Sequence, residues 1–75
     1  MTADERRLLE QLAAAEDGCT DALLFALGFA LEVIFNLVKA GLAAAQAERL
    51  HAGTQPLEII RITDAGRRAL AERQR

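Results

Sequence analysis

Apolar residues recur three and four positions apart along most of the chain, the spacing that gathers side chains on one helix face. Leu8, Leu9, Leu12 and Ala15 or Glu16 form the first such stripe. Ahead of it, Thr2 and Glu5 make a T-x-x-E capping box, in which each side chain serves a free backbone N–H of the other residue. Asp17-Gly18 ends this helix. A second stripe, Leu23, Leu24 and Leu27, follows Thr20 as N-cap, with Asp21 in the first turn. Gly28 interrupts it, as a turn of positive φ requires. Phe29 restarts the pattern, and Leu31, Ile34, Leu37 and Val38 carry a third helix over residues 30–40. Gly41 suits the left-handed position after a helix end, with Leu42 folding back onto the last turn.

The period then changes. Within Leu57–Ile62, β-branched residues alternate, Ile60 and Ile62 on one face and Ile59 and Arg61 on the other. That run needs a partner strand. The second half of residues 42–50 is the candidate, although alanine is a poor strand former. Residues 51–56, with Gly53 and Pro56, form the turn-rich link. Thr63 caps a last helix with Asp64 in its first turn. Gly66 is unfavourable in a helix, which points to close approach of another backbone or side chain. Ala69 and Leu70 face inward; Arg67, Arg68, Arg73 and Arg75 make a basic outer face.

Leu23, Leu27, Gly28, Phe29, Ile34 and Leu37 stand in the order and spacing of a helix-turn-helix register. LVKAGLA (37–43) looks like a recognition helix running into a wing, and IRITDAGRRAL (60–70) like a returning wing strand and closing helix. In this the chain resembles the winged helix-turn-helix domains of small bacterial regulators of the MarR and PadR kind. Leu24 departs from the pattern, which usually has alanine there, so an altered helix spacing is implied. The resemblance implies a mainly α fold with a two-stranded β-wing: three helices, a β-hairpin and a C-terminal helix. It also implies a transcriptional regulator binding double-stranded DNA. Asn36 and Lys39 would then face the major groove, with Arg49, His51 and Arg61 of the wing near phosphates.

Length and composition qualify that picture. Seventy-five residues make one small domain, 1–75, and a chain of this size buries only about 60% of its unfolded surface. Yet 52% of its residues are hydrophobic and mean hydropathy is +0.11. Such a surplus ordinarily goes into a partner surface. A homodimer is therefore expected, drawing on Leu8, Leu9 and Leu12 of the first helix, Val33 and Leu37 of the third, and Leu70 of the last.

Net charge is −2, with no overall basic signature for nucleic acid. Residues 1–48 hold three basic against eight acidic residues, net −5; residues 49–75 hold six against three, net +3. Polyanion contact would favour the C-terminal part. The third helix is also poorly suited to reading bases, which takes several polar side chains. It offers Asn36 and Lys39 alone, sets Glu32 against phosphates, and turns Phe35 outward. A winged helix kept for protein–protein interaction, without DNA binding, is the competing reading.

Catalysis is not expected. One histidine, His51, has no recognisable nucleophile beside it, and the five glycines build no phosphate loop. His51 and Cys19 are too few to ligate a metal, so neither metal nor cofactor is expected. Cys19 reads as a small packing residue. A single cysteine forms no internal disulfide, and a reducing cytoplasm fits best. Asp4 and Glu5 near the start do not resemble a signal segment. The apolar run 23–38, broken by Gly28, Glu32 and Asn36, falls short of the ~20 residues a membrane span needs.

Overall fold

A computed structural model describes residues 1–48 and 57–73. The first helix, α1 (Ala3–Ala14), starts at the expected box: Thr2 Oγ1 accepts the Glu5 N–H at 3.1 Å and Glu5 Oε1 accepts the Thr2 N–H at 3.0 Å. Its Leu8, Leu9 and Leu12 are completely buried. Asp4, Arg6, Arg7 and Glu10 take the outer side. After a turn come β1 (Cys19–Thr20), α2 (Asp21–Ala26), α3 (Leu31–Lys39), β2 (Ala43–Glu48), β3 (Leu57–Ile62) and α4 (Asp64–Arg73). Among the described residues the architecture is mixed α/β, four helices with a three-stranded antiparallel sheet in the order β1-β3-β2.

Two strand expectations are corrected. The sheet has three strands, not the two of a simple hairpin, because Cys19 pairs with Ile60 and Thr20 with Ile59. Two residues are too few to show any alternation. β2 also begins at Ala43, directly after the α3 cap, rather than in the second half of residues 42–50. Tertiary pairing here overrides the low strand propensity of alanine. Ala43 is buried opposite Ile62, and Ala45 lies opposite Ile60 in the antiparallel ladder.

The core joins Leu8, Leu9, Leu12, Leu24, Ile34, Leu37, Ile60 and Leu70 with Cys19 and Ala43. Cys19 is thus the packing residue expected of it. The same list corrects the expected dimer surface. Leu8, Leu9, Leu12, Leu37 and Leu70 are buried inside a single chain, and Val33 is half-buried against them. α1 packs against α3, α4 and β3 together, which consumes its whole leucine stripe.

Thr63 fastens the last helix to the end of α3. Its Oγ1 accepts the Gly66 N–H at 3.0 Å, the expected N-cap bond, and donates to the Gly41 carbonyl at 2.7 Å. Gly66 is buried, and a Cβ there would collide with the Leu42 carbonyl oxygen and come within 2.7 Å of Ile62 Cγ1. The close approach expected at this glycine is real.

Candidate functional site

The unit α2–turn–α3 is built by short-range chemistry. Thr20 Oγ1 accepts the Leu23 N–H at 3.1 Å and caps α2. α2 then stops in a Schellman motif: Gly28, at φ +95°, donates to the Phe25 carbonyl, and Phe29 donates back to Leu24. α3 ends the same way, Gly41 at φ +79° donating to Val38 and Leu42 to Leu37. Each motif turns the chain sharply and returns an apolar residue, Phe29 or Leu42, to the core. α3 begins less well. Ala30 holds the N-cap position and supplies no side-chain bond.

The side chains divide unexpectedly between inside and outside. Of the α2 stripe only Leu24 points inward; Leu23 is 47% exposed and Leu27 52%. This corrects the register in which Leu23, Leu24 and Leu27 share a packed face. α2 packs chiefly on β1 and β3, so the residue facing the sheet, Leu24, takes the buried position. In α3, Ile34 and Leu37 are buried, while Leu31 is 66% exposed and Phe35 57%. At about 100° per residue, Leu31, Glu32, Phe35 and Lys39 fall on one outer face. Lys39 Nζ lies 5.5 Å from the centre of the Phe35 ring, a cation–π contact.

Leu23, Leu27, Leu31 and Phe35 thus form two i, i+4 pairs flanking the three-residue turn 28–30. An aromatic side chain presents roughly 150–250 Å²; with the leucines near the lower end of that range, the exposed fractions of these four together leave on the order of 400 Å² open. Summed over the two pairs, that area is comparable to the roughly 300–600 Å² of the largest patch on a typical monomer. Sequence reasoning singled out Phe35 as outward but not the other three. The available signal was a third helix apolar except for Glu32, Asn36 and Lys39, more apolar surface than one core absorbs.

The expected DNA contacts are not assembled into one surface by what is described. Lys39 is exposed in the last turn of α3 and Asn36 is half-buried one turn earlier. Arg61 is half-buried on β3, its Nη1 donating to Gln46 Oε1 of β2 at 3.0 Å. Arg49 and His51 lie outside the described residues. Arg67 and Arg68 are exposed on α4 as expected. Among the described residues no pocket is enclosed, no three His, Cys, Asp or Glu side chains group as for a metal, and no helix is long and apolar enough to cross a membrane. Compared with known proteins, the chain matches no family model, no curated protein and no solved structure.

Proposed function

We propose that the chain is a winged-helix-like module used for protein–protein contact, with the outer face of α2–α3 as its docking surface. One observation carries this reading. Leu31 and Phe35 are exposed on the helix that would enter a DNA groove, at positions where base readers offer polar side chains. Covering on the order of 400 Å² of apolar surface, at about 25 cal/mol per Å², contributes about 10 kcal/mol before the cost of association. A helix in a groove would leave that surface wet or desolvate it against phosphates. The net charge of −5 over residues 1–48, which carry both helices, disfavours DNA on the same side.

The winged-helix layout is supported by the element order and by the antiparallel β2–β3 pair that follows α3. A regulator bound to duplex DNA is the second reading. It rests on exposed Lys39, with Asn36 one turn before it, and on the basic C-terminal balance.

Photo-cross-linking separates the two. A benzophenone amino acid replacing Phe35 in the producing cell is expected to give protein adducts, and one replacing Glu10 on α1 none. Adducts to DNA at position 35, or salt-sensitive binding of random duplex that Lys39→Ala weakens, would overturn the protein-contact reading in favour of the regulator.

A further inference from the structure

We infer that the partner at this face is a second copy of the chain, its α3 antiparallel to the first across a two-fold axis beside Phe35. The inference rests on the protein-contact reading and names its partner. Area is the first argument. A standard interface buries roughly 800 Å² per partner, and the apolar share in homodimers is about 65%. That amounts to about 500 Å² of apolar surface on each side. The four open residues together supply on the order of 400 Å², most of that requirement.

Charge placement is the second argument. Glu32 stands in the first turn of α3 and Lys39 in its last, on the same outer face as Leu31 and Phe35. At 1.5 Å rise per residue they lie about 10 Å apart along the axis. A two-fold interface requires a surface that complements itself. Antiparallel packing about a point between Phe35 and Asn36 brings each Glu32 to the partner's Lys39, twice by symmetry. The Phe35 rings then meet near the axis. Parallel packing would set Glu32 against Glu32 and Lys39 against Lys39. Such rim pairs add little affinity; they fix orientation.

Sedimentation equilibrium of the purified full chain tests this. Wild type is expected to pass from one-chain to two-chain mass with rising concentration and to be largely dimeric by about 100 μM, as a modest interface of this size allows. Phe35→Ser, exposed in the single chain and so harmless to its fold, is expected to weaken the dimer by about tenfold or more. Glu32→Lys and Lys39→Glu each replace two attractions with two repulsions and weaken it by a few-fold. Mixed in equal amounts, those two variants are expected to recover wild-type association as a heterodimer.

A one-chain mass at about 100 μM, or a dimer indifferent to Phe35→Ser, overturns the inference. Weakening by the single reversals without recovery in the mixture overturns the antiparallel arrangement. A monomeric chain whose position 35 still cross-links to a different protein overturns self-association and leaves the protein-contact reading standing. One that cross-links to no protein and co-sediments with phosphatidylcholine vesicles overturns both.

Discussion

α1 carries three large apolar side chains and α3 six, and the two helices use them differently. In α1 the apolar residues lie on a single stripe, Leu8, Leu9 and Leu12, and the fold buries all three. Its outer side is Asp4, Arg6, Arg7 and Glu10, with an Arg7–Asp4 ion pair along it. In α3 the inner side, Ile34 and Leu37, is equally well buried, but Leu31 and Phe35 stand on the outer side. Stability accounts for the whole of α1. It accounts for only half of α3. The difference locates the surface on which a small chain with 52% hydrophobic residues places its excess.

Truncation sharpens the contrast most. Leu9→Ala removes a side chain with no exposure and is expected to cost about 3 kcal/mol. In a domain of this size that lowers the melting temperature by more than about 10 °C. Leu31→Ala, measured by circular dichroism at a concentration where the chain is single, is expected to stay within about 0.5 kcal/mol of wild type. Comparable losses from the two substitutions would break the distinction between the helices.

Gly66→Ala comes next. The added methyl meets the Leu42 carbonyl and the Ile62 side chain, where α4 presses on the segment leaving α3. The expected loss is about 2 kcal/mol in urea unfolding, overpacking outweighing the better helix propensity of alanine. A stabilised variant would show that α4 does not hold the end of α3 in place.

Thr63→Val should cost about 1–2 kcal/mol, since it removes the α4 cap and the bond to the Gly41 carbonyl together. The smallest effect is a gain. Ala30 has the extended backbone of an N-cap, φ −79° and ψ 148°, but no cap bond. Ala30→Ser is expected to stabilise by about 0.5–1 kcal/mol. No change in thermal unfolding would mean that the α3 N-terminus is already satisfied.

What the sequence disclosed and what it hid divide along the same physical line. The capping box at Thr2 and Glu5, the caps at Thr20 and Thr63, and the helix ends at Gly28 and Gly41 each depend on groups within a few residues. All were legible. So was the tight contact at Gly66, because a glycine inside a helix is costly without a spatial reason. β1 was hidden because two residues carry no period, and the start of β2 because alanine favours another state. The orientation of α2 depended on its resting on the β1–β3 pair, a long-range fact that puts Leu24 inside and Leu23 and Leu27 outside. For the same reason the leucines of α1 expected at a dimer surface are buried in the single chain. Leu8, Leu9 and Leu12 are needed by the core, and the surplus sits on α2 and α3. For DNA contact the sequence offered Asn36, Lys39, Arg49, His51 and Arg61; Arg49 and His51 lie outside the described residues, and Arg61 is engaged with Gln46 across the β2–β3 pair.

The claim that the outer face of α3 pairs two copies of the chain is tested most directly by nitrogen-edited NMR of the full chain over a dilution series. The amides of Leu31, Glu32, Phe35 and Lys39 are expected to shift with concentration, while those of Arg7 and Glu10 on the outer side of α1 stay fixed. Shifts confined to α1, or a concentration-dependent two-chain species that leaves α3 unperturbed, would contradict it.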